Sequence, residues 1–252
     1  MPQFFTDADL KLGTTIELTG QDAHHIHNVL RLKPGDWILI SDGEGRSFKS
    51  NIIESMKKSV TISLDKQIKR LPFTPPPTLA ISPISRERFE WVVEKSVELG
   101  CKRIIPMITN RTVPHRAKIV SDQKKIRRLN EIALSAAKQS GLPFRPTICE
   151  PLIFTEVMKG VSEYDSSILF YEGEEKADIR SFWKTRSNMS NDLIIVGPEG
   201  GFTNDEITLA QNAGTTLLSL GQQILRVETA AIAAISIWQY EIGNMDLPAC
   251  DG

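Results

Sequence analysis

"IIVGPEGGFTNDEI", residues 194–207, sets an apolar run against a turn of Gly197, Pro198, Glu199, Gly200 and Gly201, followed by a helix start. The run suits a strand covered on both faces. Thr203 followed by Glu206 is a capping box, which places the helix N-terminus just after the turn. Without a Cβ, Gly197, Gly200 and Gly201 permit φ > 0 and let a ligand lie directly against the backbone, so the turn's amides are expected to face an open pocket. The chain contains no G-x-x-x-x-G-K-[ST] string, which argues against a triphosphate cradle. A ligand with a flat ring and polar ends suits the turn better. The alternative is a tight strand-to-helix turn whose glycines serve only close packing.

Working outward, strands and helices alternate. "TLAISPI" leads into "SRERFEWVVEKSVELG", where Phe89, Val92, Val93, Val97 and Leu99 have roughly helical spacing and Gly100 marks the stop. Then come "RIIPMIT", a long basic helix from about Ser121 to Ser140, "SSILFYEG", "DLIIVGPEGG" and "TTLLSLG", most of them followed by a helix. The pattern predicts an α/β domain with a parallel sheet. Ligands of such sheets collect beyond the carboxyl ends of the strands, here the loops at Tyr171–Glu175, Gly197–Gly201 and Gly221–Arg226.

The proline-rich "KRLPFTPPPT", residues 69–78, fits neither helix nor central strand and reads as a linker. It divides the chain into domains at 1–70 and 71–252. Before it, "DWILISDGEGRSFKSNIIESMKKSVTISLDKQI" reads as three strands of a small antiparallel barrel or sheet. Gly43 and Gly45 resemble the start of a dinucleotide fingerprint, but Phe48 occupies the place of the third glycine, so a hairpin turn is expected.

The net charge of −1 hides an uneven distribution: +1 over residues 1–70, +8 over 71–149 and −10 over 150–252. A basic middle of this kind, with Arg111, Arg116, Lys124 and Arg128, reads as a phosphate-binding surface or, alternatively, as a solvated helix face. In "DAHHIHNVLRLKPGD" the expected buried side is Ile26, Val29 and Leu30, leaving His25, Asn28 and Arg31 for RNA phosphate or sugar. His24, His25 and His27 point to different faces, and no further ligands complete a metal site, so no metal is expected. Cys101 and Cys149 read as core thiols and Cys250 as a tail thiol. No membrane-length apolar run and no signal-like start are visible, so the expected compartment is the cytoplasm, with no membrane partner.

A second stretch, "LLSLGQQILRVETAAIAAISIWQY", ends a strand at Leu220 and Gly221, then sets Arg226 and Glu228 beside a small-residue helix. Together with "GPEGGF", "HHIHNVLRLKPGD", "ERFEWVVEKSVELGCKRIIP", "TNRT" and "AAKQSG", it strongly resembles the SPOUT class of methyltransferases, specifically the RsmE family of 16S ribosomal RNA uridine N3-methyltransferases. The resemblance covers nearly the whole chain. It implies a trefoil-knotted α/β domain preceded by a small PUA-like RNA-binding β-barrel, a homodimer, and methylation of uracil N3 in 16S rRNA of the small ribosomal subunit. It further implies S-adenosylmethionine (SAM) held by Tyr171 and Glu172, by Gly197, Pro198, Glu199 and Gly200, and by Leu220, Gly221, Ile224, Leu225, Thr229 and Ala230. Asn110, Gln223 and Leu142 depart from the family tendency to carry an acid, a base and Arg at these places.

Uracil N3 holds a proton at neutral pH, so the reaction needs help in releasing it. Arg226 could stabilise negative charge developing on O4 or O2, while Glu228 or Glu199 could accept the proton or merely pair with Arg226. In the last helix, Ala231, Ala234 and Ile235 share one face and Ile232, Ser236 and Gln239 another, so a single core-facing stripe does not account for every apolar residue: the helix is buried on two sides within the chain or, as the resemblance implies, packs against the same helix region of a second subunit. Three rival readings stand beside this one. A noncatalytic RNA-binding protein has no use for a glycine-lined pocket, and a dinucleotide oxidoreductase lacks its fingerprint here. A SPOUT methyltransferase acting on another RNA shares every motif quoted.

Overall fold

The computed structural model describes residues 1–68, 76–173, 179–184 and 191–245. Most of the expected linker, the end of the Tyr171–Glu175 loop and Cys250 lie outside the described residues. The chain divides into two compact units. One is formed within Met1–Leu71 together with Ala137–Arg145, the other within Pro72–Ala136 and Pro146–Gly252.

The first unit contains β1 (Gln3–Phe5), β2 (Thr15–Thr19), α1 (Gly20–His24), β3 (Trp37–Ser41), β4 (Ser47–Ser55) and β5 (Ser59–Gln67), in the sheet order β1-β3-β4-β5-β2. The three expected strands are β3, β4 and β5, paired antiparallel. Strand β2 extends them antiparallel to β5, whereas β1 runs parallel to β3, so the sheet is mixed. At three residues, β1 is too short to declare itself by alternation. Period-two patterning turns Ile38, Ile40, Phe48, Ile52, Ile62 and Leu64 inward to a common core. Between β3 and β4 the Asp42 carboxylate accepts hydrogen bonds from the amides of Glu44 (2.8 Å) and Arg46 (3.0 Å), with Gly43 and Gly45 at φ 81° and 121°. It is a hairpin turn, as the missing third glycine implied.

After α1 the backbone widens into a π-helical turn over His25–Val29, in which the Leu30 amide donates to the His25 carbonyl at 2.9 Å. The wider turn breaks the 3.6-residue rhythm. Of the three residues expected inside, only Ile26 is buried, while Val29 and Leu30 are exposed and Leu32 packs on the core instead. Arg31 then reverses the chain at φ 54°, a left-handed conformation uncommon outside glycine. Two cations of the basic middle also serve this unit internally: Lys138 pairs with Asp22 at 3.0 Å and Arg145 with Asp7 at 2.9 Å.

The second unit is a parallel α/β sheet, the expected class. Its strands are β6 (Thr78–Ile81), β7 (Arg103–Ile108), β8 (Thr147–Ile148), β9 (Leu152–Ile153), β10 (Ser166–Phe170), β11 (Asp192–Val196) and β12 (Thr216–Leu218). The order is β12-β10-β11-β6-β7-β8, with β9 adding to β7. The helices are α2 (Arg86–Glu98), α3 (Pro114–Ala117), α4 (Gln123–Ser140), α5 (Phe154–Lys159), α6 (Ile179–Lys184), α7 (Asn204–Asn212) and α8 (Val227–Glu241). Every residue of β6 and β11 is buried, as near-continuous apolar strands require when both faces are covered. Helix α2 buries Phe89, Val92, Val93 and Val97 and stops at Gly100, whose φ of 94° favours glycine. Helix α4 buries Ile126, Leu129, Ala133, Ala136 and Ala137 along one stripe.

Helix α8 turns Ala231, Ala234, Ile235, Trp238 and Gln239 inward, so Gln239 belongs to the core face rather than to the outer one. Trp238 donates its indole N–H to buried Asp192 at 2.7 Å. The outer face carries Ile232, Ser236, Ile237 and exposed Tyr240.

On the outer side of α2, Glu90 accepts from Arg128 Nε (2.8 Å) and Nη2 (3.0 Å) and from Arg86 Nε (2.9 Å). The bond from Arg128 and, less strongly, that from Arg86 outweigh the opposing effect of burial and hold the Glu90 carboxyl down at about 2. A carboxylate depressed in the folded state stabilises the fold fully above its unfolded pKa of 4.5 and loses that contribution as pH falls toward 2. Denaturant unfolding of Glu90→Gln should therefore show a shallower loss of stability than the wild type between pH 4.5 and about 2.

Candidate active site

Because β12, β10 and β11 are adjacent and parallel, the loops after Phe170, Val196 and Leu218 open at one edge of the sheet. Between them lies a cavity of about 520 Å³. This is the size range of small-molecule and cofactor sites. Three loops separated by many residues in sequence thus meet as the alternation of strands and helices predicted. Tyr171, Glu172, Gly197, Pro198, Glu199, Leu220, Gly221, Ile224, Leu225, Arg226 and Ala230 all line the cavity. Gly200, Glu228 and Thr229 are outside its lining.

The glycines of the turn serve different ends. Only Gly201, at φ 66°, uses the left-handed region; Gly197 and Gly200 do not, contrary to the sequence expectation. A Cβ on Gly197 would stand 2.6 Å from the Phe202 ring, so this position is needed for close packing of the chain on itself. At Gly200 a Cβ would meet the Arg111 side chain at 3.3 Å, and Arg111 Nη1 donates to the Gly200 carbonyl at 2.9 Å.

The turn is anchored by Glu206, which is 5% exposed. Its Oε2 accepts from the Thr203 amide (2.8 Å) and hydroxyl (3.1 Å), and its own amide donates to Thr203 Oγ1 (3.3 Å), which completes the capping box. Its Oε1 accepts from the Asn110 amide at 2.8 Å, tying the loop after β7 to the glycine turn. That loop is itself closed by Thr112 Oγ1, which accepts from the Thr109 amide at 2.9 Å.

Charges alternate along the site. Glu199 Oε1 faces Arg88 Nη1 at 3.3 Å and Oε2 faces Arg116 Nη1 at 2.7 Å; Arg88 Nη1 also reaches Glu228 Oε1 at 3.5 Å. The Arg116 contact is an ion pair without hydrogen-bond alignment, since Nη1 has no hydrogen-bond partner of acceptable geometry. Glu228 Oε2 is buried and has no hydrogen-bond partner among the described residues. Glu199 and Glu228, the expected partners of Arg226, are therefore held by Arg88 and Arg116 instead. Arg226 stands exposed at the N-cap of α8, lines the cavity, and has no ion-pair partner among the described residues.

Arg88 is the residue that sequence reasoning missed. It lies in the first turn of α2, after β6, and β6 neighbours β11. Its place in "SRERFEW" signalled only a helix start; the strand order brings that start to the pocket.

The remaining candidates separate. In the first unit, His25 is exposed with its ring edge-on to Phe4, Asn28 is half-buried with its Nδ2 unpartnered among the described residues, and Arg31 is exposed. His27 Nδ1 lies 3.2 Å from Ser55 Oγ. In the second unit, Lys124 is exposed, whereas Arg128 is held by Glu90. Among the described residues no cluster of His, Cys, Asp or Glu is arranged to hold a metal ion, and no helix is long and apolar enough to cross a membrane. Cys101 is buried, which pushes its thiol above the ordinary range, and Cys149 is half-buried.

The chain is similar throughout to known proteins. A family model described as an RNA methyltransferase domain matches residues 72–239, and one described as an RNA methyltransferase PUA domain matches residues 18–65. Ribosomal RNA small subunit methyltransferase E of Rickettsia conorii is 33% identical over 241 residues, 93% of each chain. That of Bacillus subtilis is 30% identical over 248 residues, 94% of each. Among solved structures, a ribosomal RNA small subunit methyltransferase E from Neisseria gonorrhoeae bound to S-adenosyl methionine aligns with a TM-score of 0.81 at 30% identity, covering 95% of this chain and 97% of that one. A methyltransferase from Legionella pneumophila in complex with SAM aligns at 0.76 and 28% identity, covering 94% and 96%.

If Glu206 holds the two loops together, Glu206→Ala should cost about 2–4 kcal/mol, since three donors, the Thr203 amide and hydroxyl and the Asn110 amide, lose their acceptor. Urea denaturation should show the midpoint falling with little change in slope.

Proposed function

The chain belongs to the ribosomal RNA small subunit methyltransferase E family, and from that membership we propose that it methylates N3 of a uridine in 16S rRNA with SAM as methyl donor. The observation that carries the reading is the cavity at the carboxyl ends of β10, β11 and β12, with Arg226 free on its wall. Its dimensions and chemistry suit SAM. Backbone of Gly197, Pro198 and Gly221 offers peptide groups to polar ends, Ile224 and Leu225 offer an apolar surface to a ring, and Glu172 offers a carboxylate. When bound, SAM supplies an electrophilic methyl group.

The protein's own residues would do the rest. Arg226, unpaired and beside the cavity, is suited to stabilising negative charge on a uracil carbonyl oxygen as N3 loses its proton. Glu199 is poorly suited to accept that proton, being shared by two arginines. Glu228 keeps one carboxylate oxygen without a hydrogen-bond partner, and Arg88 holds the other. That free oxygen is buried and outside the cavity lining, so Glu228 would need to move, or to act through a water, to take the proton. The candidates for RNA contact are His25, Asn28 and Arg31 in the first unit and Arg111, Arg116, Lys124 and Arg128 in the second. Arg111, Arg116 and Arg128 would each have to share or release an intramolecular partner to serve.

The same reading includes the trefoil knot, a division into domains at 1–70 and 71–252, a cytoplasmic location and a homodimer. The outer face of α8 is the candidate subunit contact. Trp238 is unsuitable for testing it, because it lies 1% exposed within the chain's own core. Ile237, half-buried on the outer face, is the better probe. Ile237→Glu should yield monomers by light scattering that keep their circular dichroism and lose methyl transfer. A wild-type monomer with full activity would overturn the dimer.

Calorimetry should detect SAM binding, and 16S rRNA or small subunits from a strain lacking the gene should accept labelled methyl groups at a uridine. Arg226→Ala should lower the rate of methyl transfer by about 100-fold or more, with a much smaller effect on SAM affinity. Absence of SAM binding by the wild-type chain would refute the reading. Methylation confined to a different RNA would leave a methyltransferase with another substrate.

A further inference from the structure

The first unit carries a surface that none of the RNA candidates above includes. Trp37 begins β3, and because Ile38 and Ile40 turn inward, the alternation sends Trp37 outward, where it is 41% exposed. Lys49 on β4 sets its Nζ 4.4 Å from the centroid of the Trp37 ring. In the β4–β5 ladder, Lys49 stands directly opposite Lys66. Like charges directly opposite one another on a sheet repel. Among the described residues neither lysine has an ion-pair partner, so the face keeps two uncompensated cations beside an open indole.

We propose that this outer face of β3, β4 and β5 is a platform for an unpaired stretch of RNA, with Trp37 stacking a base and Lys49 and Lys66 holding the flanking phosphates. An aromatic ring combined with cations that track the backbone is the chemistry of single-strand binding, since every base has a π-face. Phosphates relieve the Lys49–Lys66 repulsion. A duplex, with its bases stacked inside, offers the ring nothing. The proposal rests on the reading of the chain as acting on RNA and adds an RNA site in the first unit.

The test uses the full chain and two labelled probes, a short oligouridine and a blunt-ended RNA duplex of equal length, with binding read by fluorescence anisotropy at several salt concentrations. Trp37→Ala should weaken oligouridine binding roughly tenfold and leave duplex binding unchanged, and Trp37→Phe should restore most of the loss. Lys49→Gln with Lys66→Gln should lower the salt dependence by the equivalent of one or two phosphates. Unfolding midpoints confirm that each variant is folded, and Trp37→Phe keeps the test decisive if Trp37→Ala is not. Oligouridine affinity unchanged in Trp37→Ala, or lost equally for both probes, would overturn the proposal. So would Trp37→Ala lowering methylation of assembled small subunits while naked rRNA and oligouridine are unaffected, since the ring would then touch protein. Methyl transfer by the wild type to 16S rRNA is measured in parallel. Its absence counts against the reading of the activity, whereas loss of Trp37-dependent binding alone counts against the platform.

Discussion

The site depends on one buried carboxylate accepting from several donors at once. Glu206 is fixed by the start of α7, and from there it holds Thr203 with one oxygen and the Asn110 amide with the other. A carboxyl group so enclosed is tolerable only because its oxygens are taken up by N–H and O–H donors. The consequence reaches both loops it touches. The glycine turn after β11 and the threonine-closed loop after β7 are positioned together, and Arg111 adds a further bond from the second loop to the carbonyl of Gly200.

Parallel strand order does the rest of the positioning. Side by side, β12, β10 and β11 present three carboxyl ends at one edge, and β6 on the far side of β11 leads into α2, whose first turn brings Arg88 to the same place. The resulting alternation of Glu228, Arg88, Glu199 and Arg116 neutralises most of the charge at the site. Arg226 is left outside that balance, so its charge is available to whatever enters the cavity.

The basic middle of the chain is less uniform than its net charge suggests. Lys138 and Arg145 serve the first unit through Asp22 and Asp7, Arg128 joins α4 to α2 through Glu90, and Arg116 is spent on Glu199. Lys124 remains on the surface. Counting charge along a sequence cannot separate these cases, because opposite charges brought together by folding are far apart in the chain.

Much was determined by the sequence itself. Local rules are short-range: the capping box of Thr203 and Glu206, the glycine stop at Gly100, the hairpin at Asp42–Arg46 and the unbroken apolar run of β11 all follow from residues a few positions apart. They sufficed for the α/β class and for three loops that line the cavity. Folding decided what needed partners from elsewhere. The π-helical turn sent Val29 and Leu30 outward, because a helical wheel assumes a rhythm that one wide turn destroys. The three-residue β1 needed β3 beside it to be a strand at all. Gly197 owes its identity to the Phe202 ring rather than to its φ, Trp238 faces Asp192 in the core rather than solvent, and Arg88 enters the site only because β6 lies next to β11. The π-turn and the Gly197–Phe202 contact are local in sequence but follow no regular period, so no pattern of residues announces them. The pairing of β1 with β3, the Trp238–Asp192 bond and the arrival of Arg88 rest on contacts between residues that the chain order keeps apart, and only the tertiary structure decides such contacts.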